Sequence, residues 1–333
     1  MTHGGTNWGN LGAPVVYTSY DYSAPLRETR EVHLKFKQEK LIALFTRVSE
    51  DLRKTDMESN GTGNAVSSDQ IWSWVLRNPD NGAGFYTLQH NDTSSREVID
   101  FSVHLDTSIG PIYLPNVQLN GRQSKIVTTD YHFGKNTMLC CTSDIAVYGL
   151  FDVPVVILYL EAGQVGEFSF ESSGHSGYFD LKVHGDAHVT SSIGHSNANS
   201  YGKSSSYTKY TYTQVPGSTV VELADGTLFY LLEKETAWNF FAPTTTTDPN
   251  VKPDEQVFVL GPYNVRNVSI SDGTATLVGD NANTTTLEVY AGTGVDSVIW
   301  NGKNVETKRS AYGSLIGEAP GATDRKFELP GIS

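Results

Sequence analysis

From about residue 53 onward the chain is written in short runs of Val, Ile, Tyr, Phe and Trp, each closed off by Gly, Asn or Asp. Runs at 71–76, 85–89, 98–105, 125–131, 155–160, 167–171, 219–223 and 227–232 are too short for helices. Many short strands at this spacing predict an antiparallel β-sandwich. The 31 glycines and the 11% aromatic content fit that reading, since Gly suits turns and aromatic side chains suit a half-buried pleated surface. Residues 243–255 hold three prolines and four threonines and read as a linker or long loop. A second set of runs follows at 257–260, 265–270, 274–278, 285–290 and 298–300, with a hairpin turn at Ser271-Asp272-Gly273. That set predicts a smaller sandwich.

Only residues 30–47 have a helical period. Val32, Leu34, Phe36, Leu41, Ile42 and Phe45 form the apolar stripe, Lys35, Lys37, Glu39 and Lys40 form the wet side, and Thr29 is the expected N-cap. One helix behind a Gly-rich loop is too little to fold alone, because its stripe needs a second layer. The first 50 residues therefore read as the end of a domain whose remainder lies elsewhere. They are expected to fray in the isolated chain.

The net charge of −13 disfavours nucleic acid and anionic lipid. No run of 18 apolar residues is present, so no membrane-spanning helix is expected. MTHGGTNWGN at the start has neither a basic region nor an apolar core of a signal peptide. The two cysteines, Cys140 and Cys141, are adjacent and cannot close a long loop. Two packed thiols are favoured over a strained disulfide between neighbours. N-glycosylation triplets occur at Asn60, Asn91, Asn267 and Asn283. They favour secretion, against the missing leader.

GGTNWGN at 4–10, YTSYDY at 17–22 and LRETRE at 26–31 together resemble the end of the catalytic barrel of glycoside hydrolase family 35, the fungal β-galactosidases. LNGRQSKIVTTDY at 119–131 and GTLFYLLEKETAWNFFAP at 226–243 resemble the family's large β domain. VFVLGPYNVRN at 257–267 and WNGK at 300–303 resemble its third domain. The resemblance implies a mainly β fold class: a remnant of a (β/α)8 TIM barrel over 1–52, a large antiparallel β-sandwich over 53–242, a smaller immunoglobulin-like β-sandwich over 243–325, and the start of a linker to a further domain over 326–333. It places GGTNWGN where the eighth barrel strand enters its loop and 30–48 as the eighth helix.

The implied activity is retaining hydrolysis of terminal β-D-galactose from β-galactosides, by a secreted, extracellular parent protein that is monomeric at full length. The alternative is a non-catalytic structural or carbohydrate-binding β module. A retaining glycosidase needs two carboxyls about 5 Å apart. The resemblance sets both glutamates upstream of Met1, and Asp21 within YTSYDY is neither. Met1 matches an internal position of the family, so the sequence reads as part of a longer one, which also accounts for the missing leader. Tyr22 is the implied galactose contact, and Trp8 either lines the pocket or packs beneath its loop. His3, APVV at 13–16 and YDYSAPL at 20–26 depart from the family pattern and bear on the pocket's shape.

No residue is assigned to a cofactor or metal. His184, Asp186 and His188 would share one face of a strand, but scattered histidines are the commoner outcome. Asn7 and Asn10 read as turn-pinning residues before sugar ligands. Trp72 and Trp74 share one face of a strand, where a sandwich core is favoured over a sugar-binding platform.

Overall fold

The computed structural model describes residues 2–7, 16–19, 24–27, 31–172, 180–198 and 204–321. Strands dominate it, and one long helix, Leu34–Val48, precedes all but the first two of them.

An eight-stranded antiparallel sheet forms the larger unit. Its order is Val189–His195, Ser206–Thr213, Val165–Glu171, Asn136–Cys141, Ser124–Phe133, Gly84–His90, Ile71–Arg77 and Asp56–Thr62. A five-stranded sheet faces part of it, in the order Asp144–Leu150, Pro154–Leu160, Leu228–Glu233, Ser218–Leu223 and Leu181–His184. Between them lies an aromatic core. Phe168 stacks on Phe229 at 4.5 Å and on Tyr210 at 5.1 Å, and Phe133 meets Phe229 edge-on at 6.1 Å. On its other face the large sheet is covered by the hairpin Ile99–Leu105 and Ile112–Leu119, which encloses a second core around Ile71, Tyr86, Leu88 and Val127.

The expectation of antiparallel pairing fails at one place in this unit. Pro154–Leu160 runs parallel to Leu228–Glu233. More than sixty residues separate them, and that stretch passes through the opposite sheet, so the chain can re-enter from the same end.

The smaller sandwich pairs Phe240–Phe241, Phe258–Leu260, Thr285–Tyr290, Leu315–Ala319 and Lys308–Arg309 in one sheet. Asn264–Ser271, Thr274–Asp280, Ser297–Trp300 and Lys303–Val305 make the other. Here too one pair, Thr274–Asp280 with Ser297–Trp300, is parallel. Trp300, fully buried, lies at the centre. Gly279 makes room for it, because a Cβ there would sit 2.4 Å from the indole Cη2. The Pro/Thr-rich stretch is a long loop between Phe240–Phe241 and Phe258–Leu260, tied at its base by Thr245 N to Glu255 O and Val257 N to Pro243 O. The two sandwiches are joined by aromatic contact, Phe151 lying 5.1 Å from Phe258 and 5.0 Å from Tyr290. Tyr230 Oη donates to the buried Glu288 carboxylate at 3.0 Å across the same boundary.

Helix Leu34–Val48 differs from the sequence expectation in three ways. It starts four residues later, with His33 as N-cap, its Nδ1 accepting from Lys35 N; Thr29 lies outside the described residues. Its buried face is Leu41, Leu44, Phe45 and Val48, whereas Leu34 and Ile42 are 55% and 45% exposed. The spacing 41, 44, 45, 48 is one helical face, and it is the face turned to the sandwich. The helix has a packing partner within the chain. Phe45 packs 6.1 Å from Phe85 and 5.8 Å from Tyr131, inside the large sandwich's own core.

Upstream, Thr2–Asn7 pairs antiparallel with Val16–Ser19 as a two-stranded ribbon. A barrel strand would lie between parallel neighbours; among the described residues this strand finds only its local partner.

Candidate functional site

The helix is clamped by polar groups as well as by its apolar face. Gln38 Nε2 donates to Tyr159 Oη at 3.0 Å, and Trp238 Nε1 donates to Gln38 Oε1 at 3.2 Å. Lys40, expected on the wet side, is partly buried instead. Its Nζ donates to Trp238 O at 2.7 Å and lies 3.8 Å over the ring of Phe241. Burial, helped by neighbouring Lys37, pulls the ammonium down to about 7, while the π-face and the carbonyl give its charged form a partner. Arg47 reaches Ala242 O and Gln256 Oε1, both at 2.8 Å. The helix thus touches the large sandwich through Leu41, Phe45 and Gln38, and the start of the small one through Lys40 and Arg47.

Just past the helix, Asp51 gathers donors from three directions. Its carboxylate accepts from Asn78 Nδ2 at 3.2 Å, Asn81 Nδ2 at 2.6 Å, His132 N at 3.0 Å and His132 Nδ1 at 3.0 Å. Nothing in the sequence marks it, because its partners lie about 30 and 80 residues away.

A groove of about 520 Å³ opens between the N-terminal half of the helix and the strand ends of the sandwich. Leu34, Gln38 and Ile42 form one wall; Tyr159, Lys234 and Trp238 contribute to the rest, and two carboxylates, Asp144 and Glu161, lie in it. Burial pushes the Asp144 carboxyl up to about 6 against the pull of Lys125. Burial also acts on Glu161, but hydrogen bonds from Asn120 and Lys234 outweigh it and hold that carboxyl below its ordinary range. The two shifts diverge as those of an acid and a nucleophile would. Their geometry is structural, however. Asp144 Oδ1 accepts from Ile126 N at 2.8 Å, and Glu161 accepts from Lys234 Nζ at 2.7 Å and from Asn120 Nδ2. Both hold strand ends together.

A pH prediction follows from Asp144. Its folded value is raised, so between about pH 4 and 6 the unfolded chain has released a proton that the folded chain still holds. This group therefore favours folding most in acid, and its contribution is lost as pH rises through about 6. Asp144→Asn is expected to flatten that part of the profile. Urea midpoints at pH 4 and pH 7 should differ less in the variant than in the wild type; an unchanged difference would mean the carboxyl is not held protonated.

Tyr22, Trp8 and Asn10 lie outside the described residues, and Asn7 ends the strand Thr2–Asn7. Asn60, Asn91, Asn267 and Asn283 are all exposed. Cys140 and Cys141 are free and buried. As neighbours on a strand they face opposite sides, Cys140 meeting Ser169 Oγ at 2.9 Å and Cys141 meeting Ser143 O at 3.3 Å, so they do not bridge. His184, Asp186 and His188 do not share a strand face: the strand Leu181–His184 stops at His184 and the chain bends at 185–186. His184 instead faces Glu222 at 3.6 Å. Trp72 and Trp74 are not core residues. Ile71, Ser73 and Val75 take the inward positions of that strand, and the two indoles are left half-buried on the other face.

The chain belongs to the glycosyl hydrolase family 35 β-galactosidases. Residues 52–240, more than half the chain, match the family model "Beta-galactosidase, domain 2"; 241–316 match "Beta-galactosidase, domain 3"; and 1–45 match "Glycosyl hydrolases family 35". Relatives called "Probable beta-galactosidase C" are 53% identical in Sclerotinia sclerotiorum, 52% in Aspergillus fumigatus and 51% in Penicillium rubens. These matches cover 99–100% of this chain and 32–33% of each relative. The chain thus spans about a third of the length of the curated relatives it matches.

Proposed function

We propose that this chain is part of a secreted, retaining β-galactosidase that releases terminal non-reducing β-D-galactose from β-galactosides, with both catalytic carboxyls supplied by sequence outside it. The match of residues 1–45 to the hydrolase family, running directly into the two β-domain matches, carries this reading. Two structural observations support it. The helix Leu34–Val48 is fixed to the sandwich by Leu41, Leu44, Phe45 and Val48 and leaves Leu34 and Ile42 exposed beside the adjoining groove, apolar surface that a further layer could cover. The carboxylates of the adjoining groove are both spent on holding strand ends. On this reading 1–52 is the end of the catalytic barrel, the sandwiches are its platform, and the sugar pocket takes one wall from 4–10 and Tyr22, with Trp8 beneath or beside the sugar.

Tyr22→Phe tests the assigned wall. In a protein extended upstream through the whole barrel, loss of one neutral hydrogen bond to a galactose hydroxyl should lower kcat/KM about five-fold, since roughly 1 kcal/mol is at stake. An unchanged kcat/KM would remove Tyr22 from the pocket. Retention is read independently from the anomer of galactose first released, seen by NMR before mutarotation. The β anomer is expected, and the α anomer would exclude a galactosyl-enzyme intermediate.

A further inference from the structure

Trp72 and Trp74 stand at an end of the eight-stranded sheet where neither indole belongs to, or packs against, any of the three cores. They meet each other, ring centroids 5.9 Å apart at 52°, and both remain partly in water. A half-buried indole pair leaves apolar surface uncovered, and uncovered apolar surface invites association with other surfaces. The strand beside them, Asp56–Thr62, is the last of the sheet, and such edges are normally covered or blunted.

Register supplies the cover. Asn60 lies directly opposite Trp74, and Thr62 directly opposite Trp72. Residues paired in this way share a face, with Cβ atoms roughly 4.5–5.5 Å apart. Asn60 and Thr62 are the first and third residues of a glycosylation triplet. Asn60 is exposed, and its amide donates to nothing stronger than Met57 Sδ at 3.5 Å, so derivatising that nitrogen gives up little. On the far side of the indoles, Gln89 pairs with Trp72 and Thr87 with Trp74, both neutral hydrogen-bonding side chains. The other three triplets lack this setting: Asn91 and Asn283 lie outside strands, and Asn267 pairs with Val278.

We propose that Asn60 carries an N-linked glycan whose first sugars lie over Trp72 and Trp74 and close this end of the sheet. The apolar C–H face of N-acetylglucosamine matches an indole face, and its hydroxyls and acetamide meet Thr87 and Gln89. Attachment forms the bond from Asn60 Nδ2 to the sugar C1, breaks the bond from C1 to the oxygen of a lipid diphosphate donor, and releases the amide proton. The secretory pathway provides donor and transferase. The glycan acts here as a third structural layer, and the inference rests on the secreted reading given above.

To test it, the 333-residue chain is secreted from yeast behind a host leader, and occupancy of each triplet is read by peptide mass spectrometry. Asn60 should be occupied. Asn60→Gln should lower Tm by about 2–4 °C and increase acrylamide quenching of tryptophan fluorescence. Both effects should shrink by more than half in a Trp72→Ser, Trp74→Ser background. Trimming the unmutated glycoprotein back to its first sugar, and comparing it with unglycosylated chain, gives the same reading without a variant. A bare Asn60 beside occupied Asn91, Asn267 and Asn283 would overturn the proposal, as would an occupied Asn60 that leaves Tm and quenching unchanged. So would binding of a free galactan chain by the glycosylated protein that Trp72→Ser abolishes, since the indoles would then be open. Occupancy in the native protein separates the two failures: no triplet occupied refutes the secreted reading and this one with it, whereas Asn60 alone bare refutes only this one.

Discussion

Phe45→Ala is expected to destabilise the large sandwich by about 3–5 kcal/mol. Phe45 is 2% exposed and lies between Phe85 and Tyr131, with Tyr131 in turn 6.1 Å from Tyr148. Truncation leaves a cavity lined by rings that belong to two strands of the large sheet and one of the facing sheet. They cannot collapse onto it without giving up contacts to one another. Ile42→Ala, on the same helix but 45% exposed, is expected to change stability by no more than about 0.5 kcal/mol. Denaturant midpoints of the two variants check the contrast. Hydrogen exchange checks the reason, since 41–48 should be protected in the wild type and lose that protection in Phe45→Ala alone. Equal effects at both positions would mean the helix is not part of the sandwich core.

Asp51→Ala is expected to cost about 3 kcal/mol or more, although it removes no large apolar side chain. The substitution strands the buried amide of Asn78 and the backbone N–H of His132, while the amide of exposed Asn81 can turn to water. Each buried donor left without a partner is worth roughly 1–3 kcal/mol. These groups sit where the helical segment passes into the first strands, so local unfolding should begin there. Asn78→Ala removes one donor and leaves the carboxylate its other partners, so it should cost less than half as much. Thermal unfolding of both variants gives the comparison. A milder Asp51→Ala would show that water replaces the carboxylate.

Much of this architecture is legible in the residues. Nearly every short apolar run became a strand within a residue or two of its expected ends, and Ser271-Asp272-Gly273 turns where turn chemistry says it should. Local pattern reports local structure, and its limits follow from that. Period two shows that Trp72 and Trp74 share a face but not which face is covered, because that depends on where the second sheet ends. The parallel pairs depend on where the chain re-enters a sheet, which no strand encodes by itself. The buried face of the helix slid to 41, 44, 45 and 48 because its partner is the sandwich that follows it in sequence. Asp51 was invisible for the same reason: a carboxylate is conspicuous only once its donors are assembled. The sugar wall is the reverse case. Residues 4–10 and Tyr22 carry no period or charge pattern, and only their resemblance to a family assigns them a role.

The most direct test is hydrolysis of a chromogenic β-galactoside by the purified 333-residue chain beside a protein extended upstream through the whole barrel. The account predicts turnover by the extended protein alone, with the short chain folded and silent. Turnover by the short chain would contradict it: the catalytic carboxyls would then lie within these residues, and Asp144 and Glu161 in the groove beside the helix would be the first to replace.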